Sequence, residues 1–209
     1  MKKLFVALCA LSLTFTAKAQ ENISESVTST TSTATTSAFD SYGMWYVQYD
    51  GISIDKLDLT GISVGFSGVG PISKNSSAPF SYELGLEFQY AFGSKNDYDY
   101  TMYSFKVPLN FGYHYAVNEN VTIAPYVGVH IRWYLGGKMK NDDYDLDYEL
   151  FDDGDDGCDW KSFQIGWQIG ARAVFKKVTL GVSYGASFSD MMEDGEKLGA
   201  FSATLGFKF

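Results

Sequence analysis

The chain has 209 residues, 45% of them hydrophobic and 17% aromatic, with 16 Phe, 15 Tyr and 21 Gly but only 4 Pro. That length suits one domain rather than two, and beyond the N-terminal apolar run, Leu4 to Phe15, no stretch is long and apolar enough for a membrane-spanning helix. The formal net charge of −9 argues against a nucleic-acid partner, whose phosphates demand a basic surface.

At the N-terminus Lys2 and Lys3 precede the apolar run, and Ala17-Lys18-Ala19 supplies the small-x-small pattern of a signal-peptidase site. Residues 1–19 therefore predict a cleaved Sec-type signal peptide, with a mature chain from Gln20. A lipoprotein signal at Cys9 is disfavoured, because Leu8 stands where a small residue is required. Cleavage removes Cys9 and leaves Cys158 without an internal disulfide partner. It also removes Lys2, Lys3 and Lys18 from the 16 basic residues, leaving 13 against 25 acidic ones, a net charge of −12. Residues 20–41, rich in Ser and Thr from Thr28 to Ser37, have little to bury and predict a flexible tail.

From 42 to 209 the sequence predicts an all-β domain. Two less regular strands are expected at about Gly43 to Asp50 and Thr60 to Gly68. The third is the clearest. Over Ser81 to Phe92 the even positions are Tyr82, Leu84, Leu86, Phe88, Tyr90 and Phe92, while the odd ones are polar or small, including Glu83 and Glu87. Side chains alternate faces in a strand, so this segment has one apolar and one polar face. The same alternation marks strands at 103–115, 121–134, 162–173, 178–188 and 201–209, bringing the predicted count to eight.

A soluble barrel turns its apolar face inward, and a membrane barrel turns it outward. Strands of ten or more residues, a second face of Gly, Ser, Thr and Ala, and aromatics toward strand ends favour the membrane form. The fold expected is an eight-stranded antiparallel up-and-down transmembrane β-barrel. With a periplasmic N-terminus, Val69 to Pro79, Val117 to Asn120 and Lys176-Lys177 become periplasmic turns. Lys138 to Asp159 then becomes the long external loop, matching the usual asymmetry of short inner turns and longer outer loops except at Val69 to Pro79.

These features resemble the PorT-like and OmpX-like outer-membrane β-barrel domains of Gram-negative envelopes. The resemblance rests on the signal peptide, Val107-Pro108-Leu109-Asn110-Phe111-Gly112-Tyr113, Ala124-Pro125-Tyr126-Val127-Gly128, Gly166 and Gly170, and a last strand ending on Phe209. It covers about residues 43–209. It implies outer-membrane lipid as the environment and the barrel-assembly machinery as a partner. Phe201, Leu205, Phe207 and Phe209 would be the assembly signal that machinery reads.

Glu83, Glu87, Lys106, His114, His130, Arg132 and Arg172 all fall on the polar, inward face. Eight strands leave an interior just filled by side chains, so charges held there must pair. Glu83, Glu87, Lys106, Arg132 and Arg172 are expected to form a lumen ion-pair network. A hairpin about Ser94 to Asp99 sets Glu87 opposite Lys106, with Arg132 or Arg172 as alternative partners across the lumen. A lipid deacylase would need Ser, His and a carboxylate on the lipid face, and both histidines point inward. No enzymatic activity, cofactor or metal site is expected. The acidic stretch from Asp142 to Asp159 lacks the Gly and the twelfth-position Glu of an EF-hand. It reads as a solvated flexible loop, in which exposed Tyr144, Tyr148, Leu150 and Phe151 leave a surface partner open. The functional expectation is a structural, adhesion or surface-interaction barrel. A porin-like transport barrel is the alternative, and a lipid-modifying enzyme a third.

Overall fold

The computed structural model describes residues 39–54, 56–73, 78–141, 146–151, 160–191 and 197–209. The expected signal peptide, most of the expected tail and much of the acidic stretch lie outside them. Ten strands form among the described residues: β1 (Tyr42–Ile54), β2 (Leu57–Pro71), β3 (Phe80–Lys95), β4 (Tyr98–Tyr113), β5 (Tyr115–Asn118), β6 (Val121–Asn141), β7 (Leu146–Glu149), β8 (Phe163–Phe175), β9 (Val178–Ser187) and β10 (Leu198–Lys208). Eight are staves of one closed antiparallel barrel. The order β4-β3-β2-β1-β10-β9-β8-β6 closes because β6 also pairs with β4. The two short strands are extensions: β5 prolongs β4 along β6, and β7 folds back on the far end of β6.

Burial shows which way the faces point. In β3 the polar or small residues Ser81, Glu83, Glu87, Gln89 and Ala91 are buried, and the intervening aromatic and aliphatic side chains are partly exposed. Trp45, Tyr49, Ile62, Val127, Ile169 and Val182 are each more than half exposed on the outside. An apolar exterior over a polar interior is the arrangement a barrel takes in lipid.

The staves run further than a membrane requires. A tilted strand crosses hydrocarbon in about 9–11 residues, whereas β2 has 15 residues, β3 and β4 have 16 and β6 has 21. Toward the end of the barrel opposite the termini, the alternation inverts. In β1 the inward side chains pass from Gln48 and Asp50 to Ile52 and Ile54, while the outward ones pass from Trp45, Val47 and Tyr49 to Ser53. Ile52, Ile54, Leu57, Leu59, Met102, Tyr134 and Leu198 form a dry cluster inside this loop end, joined by Leu150, Trp160 and Met191 from the connections. A β-bulge between Tyr103 and Ser104 leaves Leu135 as an extra residue on β6, so that Gly137 turns inward beyond it. The barrel is inside-out in its middle and ordinary, apolar within, at its loop end.

Several sequence expectations are corrected here. The first two strands extend well past Asp50 and Gly68. The long turn expected over Val69 to Pro79 shrinks, because β2 continues to Pro71 and β3 begins at Phe80. The hairpin at Ser94 to Asp99 tightens to Asn96-Asp97, both with positive φ (52° and 65°). The expected asymmetry of short inner turns and long outer loops fails at the first two outer connections, whose length has gone into paired strand. The acidic loop expected over Lys138 to Asp159 is strand at both Lys138–Asn141 and Leu146–Glu149, because the β6 ladder continues into water. Leu150 and Phe151, expected to be exposed, pack into the loop-end cluster, with Leu150 fully buried; a core residue within an acidic stretch is invisible to local composition.

At the other end the barrel is stitched at its last residue. The Phe209 amide donates to the Gly43 carbonyl at 2.9 Å and its carbonyl accepts from the Gly43 amide at 3.2 Å. Its ring lies where a Cβ on Gly43 would stand. Deleting Phe209 removes both bonds and uncovers the β1–β10 seam. The expected loss is about 1–3 kcal/mol at net hydrogen-bond values, read as a lower urea midpoint in lipid vesicles with faster amide exchange at Gly43 to Trp45. An unchanged midpoint would show that the seam does not depend on its final residue.

Candidate functional site

Among the described residues, charged and amide side chains converge in the middle of the lumen, and strand parity puts them there. Inward positions of β1, β3, β4, β6, β8 and β10 supply Gln48, Asp50, Glu83, Glu87, Gln89, Lys106, Asn110, His130, Arg132, Gln168, Arg172 and Ser202. Room for them comes from glycine. A Cβ on Gly170 would stand 2.6 Å from the Tyr126 ring, so only a glycine lets that ring lie flat across β8.

Among the described residues two ion pairs lie within the lumen. Glu87 faces Lys106 in register, with Oε1 2.9 Å from Nζ and side chains 2% and 8% exposed. Tyr46 Oη and Gln48 Nε2 also donate to Glu87, at 3.3 and 3.5 Å. Nearer the termini, Arg172 Nη2 lies 2.7 Å from Glu83 Oε2. Asn110 Nδ2 donates to the same oxygen at 2.7 Å, and Asn110 Oδ1 accepts from Gln168 at 2.7 Å. The Arg172 guanidinium sits 4.5 Å from the centre of the Tyr126 ring, a cation–π contact.

The third carboxylate is differently held. Asp50 is fully buried and accepts from four neutral donors. Oδ1 takes Gln48 Nε2 at 2.7 Å and Ser202 Oγ at 2.6 Å; Oδ2 takes Ser63 Oγ at 2.6 Å and Gln89 Nε2 at 2.7 Å. The Gln89 carbonyl accepts from Arg132 Nη1 and, at 3.5 Å, from Ser104. One amide therefore links Asp50 to Arg132. This also separates like charges, for Lys106 and Arg132 are directly opposite in the β4–β6 ladder, an unfavourable pairing if both point the same way. Lys106 engages Glu87, and Arg132 engages Gln89.

The structure thus brings together Glu83 with Arg172 and Glu87 with Lys106. It gives Arg132 an amide partner rather than Glu87. His130 is buried with its Nδ1 unpartnered, against Gly166, while His114 lies apart, between β4 and β5 at the terminal mouth. Sequence reasoning missed Asp50, Gln48, Gln89, Asn110 and Gln168 as members. Their signal was parity alone: each is an inward position between outward apolar ones.

Asp50, Glu83 and Glu87 balance Lys106, Arg132 and Arg172, so the buried charge sums to zero. One void, among Tyr46, Glu87, Lys106, Asn110, Gln168 and Arg172, measures about 20 Å³, room for about one water.

A family model described as outer membrane protein beta-barrel domain matches residues 27–193, which hold every stave of the ring except β10. The chain belongs to that family. It is an outer-membrane β-barrel protein. Among solved structures it is similar to the outer membrane enzyme PagL, with TM-score 0.54 and 13% identity over 78% of this chain and 97% of that one. Neisserial surface protein A (NspA) gives TM-score 0.49 and 16% identity over 81% and 97%. Ail, the attachment invasion locus protein of Yersinia pestis, gives 0.43 and 13% over 81% and 97%. At such identities the likeness to PagL is one of fold. Comparison with curated protein sequences finds no match.

In this barrel domain Lys106→Met strands Glu87 in a dry lumen. A buried charge left without its partner costs on the order of 3–5 kcal/mol. Lys106→Met with Glu87→Gln should cost clearly less than Lys106→Met alone. A double-mutant cycle by urea unfolding in lipid vesicles checks this; additive costs would mean that the pair is not coupled.

Proposed function

We propose that this outer-membrane barrel is a non-conducting surface scaffold, which holds the β6–β7 arm and its acidic continuation in water above the membrane for structural or surface-interaction roles. The observation that carries the reading is the filled lumen. Apolar side chains close the loop end, ion pairs and amides fill the middle, and Tyr42, Met44, Tyr46 and Val69 close the terminal end. The porin-like alternative needs a water path through all three levels.

The arm has features of a display element. β6 carries its ladder to Asn141, β7 returns along it, and Lys138 pairs with Glu149 at 3.4 Å on the exposed face. That pair is worth little in stability, but it keeps the arm polar outside while Leu150 and Phe151 root it inside. The sequence that follows is rich in aspartate, which would favour a cationic partner. The outward-facing Phe201, Leu205 and Phe207 of β10, with Phe209 just after it, support a role as the signal read by the assembly machinery after export and signal cleavage.

Likeness to PagL makes an enzyme the competing reading. Acyl transfer at the lipid face needs a nucleophile beside an oriented histidine. His130 faces the lumen, and its outward neighbours Val129 and Ile131 pair with Leu109, Val107, Trp167 and Ile165, all apolar. His114 is flanked by Tyr113 and Tyr115. The described residues favour scaffold over catalyst.

Purified barrel added to planar lipid bilayers should give no discrete conductance steps. An epitope inserted after Gly154 should bind antibody on intact cells. Reproducible open-channel steps would overturn the scaffold reading in favour of a pore, and an epitope reached only after permeabilisation would overturn the display of the arm.

A further inference from the structure

The terminal mouth of the barrel holds a cluster of groups that neither the ion-pair network nor the arm uses. Phe39, which precedes β1, stacks on the His114 imidazole with ring centres 4.0 Å apart and planes 11° from parallel. Tyr42 meets the same imidazole edge-on at 6.4 Å. Phe39 also packs against the cluster of Tyr42, Met44, Tyr46 and Val69. The His114 amide donates to the Pro79 carbonyl at 2.7 Å, fixing the imidazole's backbone between β4 and β5. Behind the imidazole is a void of about 10 Å³ among Tyr42, Glu83, Tyr126 and Arg172.

We propose that this mouth is a docking site for the chain's own N-terminal segment, with Phe39 as the anchor and His114 as an acid-sensitive floor beneath it. The occupant follows from connectivity. Whatever part of the chain precedes Phe39 joins the barrel through this point, and Phe39 is the first described residue. Between Thr28 and Ser37 the segment is Ser/Thr-rich and offers no other large apolar anchor, so a single aromatic ring in a preformed cleft decides whether it is tethered.

The floor is selective for a neutral ring. The titratable groups around His114 are Tyr42 from β1, Glu83 from β3, Tyr126 from β6, Arg172 from β8 and Lys208 from β10, whose Nζ lies 4.4 Å from the Tyr42 ring centre. Burial, then the Arg172 and Lys208 charges, push the imidazole down to about 4, with Glu83 opposing them. An undocked, solvated imidazole titrates near 6.5. The docked state therefore binds fewer protons than the undocked one. Docking is at full strength above about pH 6.5 and weakens as pH falls toward 4, where His114 would add a third cation beside Arg172 and Lys208.

The experiment follows both rings in the intact barrel in lipid nanodiscs, with folding checked by heat-modifiable gel migration. A fluorinated Phe at position 39 should shift its ¹⁹F resonance between pH 7 and pH 4, with the midpoint shared by the His114 imidazole signal and lying well below 6.5. In His114→Phe the fluorine signal should stay at its neutral-pH position throughout. In His114→Lys it should already sit at the acid position at pH 7. Phe39→Ala should move the His114 midpoint up toward 6.5. A fluorine signal that ignores His114 titration overturns the proposal, as does a His114 midpoint near 6.5 with or without Phe39.

Discussion

Eight tilted strands enclose a space little wider than the side chains that line it, and in lipid every backbone donor and acceptor must be satisfied within the ring. Closure between β4 and β6 and between β1 and β10 meets the second demand. The first then governs what the interior can contain. With no room for bulk water, each inward charge has to find its partner on an adjacent stave or across the lumen. Glu87 finds Lys106 one stave away. Glu83 reaches Arg172 across the lumen, from a strand with no direct ladder contact to β8. The glycines opposite Tyr126 and His130 belong to the same geometry, since a flat ring inside a narrow barrel needs a neighbour without a Cβ.

The barrel solves two solvent problems with one set of strands. Where the surroundings are lipid, the outward side chains are Trp45, Val47 and Tyr49 and the inward ones Gln48 and Asp50. Four residues on, where the surroundings are water, Ser53 faces out and Ile52 and Ile54 face in. Burying an aliphatic side chain from water stabilises by about 1.5–3 kcal/mol, a gain unavailable between two apolar phases. The apolar cluster at the loop end is thus where an ordinary hydrophobic core can contribute, and it recruits Leu150, Trp160 and Met191 from connections that would otherwise have no anchor. The arm is rooted because the barrel rises out of the membrane.

This division also explains what could be read from sequence. Where lipid lies outside and a tight lumen inside, alternation is clean, as in residues 81–92 and 103–115, and a hairpin centred on Asn96-Asp97 then sets Glu87 against Lys106 by counting. Where the alternation inverts, the pattern loses its meaning. Ile52, Ile54, Leu57 and Leu59 flank a connection so short that they resemble an irregular apolar turn. Neither Asn96 nor Asp97 announces a two-residue turn as Gly would, although both adopt positive φ. Leu150 and Phe151 sit beside a run of aspartates whose composition says loop. The Glu83–Arg172 pair was open among several partners, because a contact across the lumen depends on the tilt of the whole ring rather than on any hairpin.

Asp50 stands at the level where the lining changes from polar to apolar, and its environment shows why that boundary falls there. Its ladder neighbours are Gly61 and Ser202, which leave space but bring no cation. A bare carboxylate at this depth would carry a large desolvation penalty. Two hydroxyls and two amides remove it, each charge-assisted bond contributing about 1.5–3 kcal/mol. Of these donors Gln89 is the one that joins Asp50 to a cation, since its carbonyl receives Arg132 while its amide serves Asp50. A carboxylate at position 89 could satisfy Arg132 but would repel Asp50; an apolar residue would leave both short of a partner. The amide is the side chain that meets both demands at once. Above it the strands turn apolar inward, so the Asp50–Gln89–Arg132 link is the last polar tier beneath the hydrophobic closure. The two structures seal the lumen together, one by matching charge and the other by excluding water.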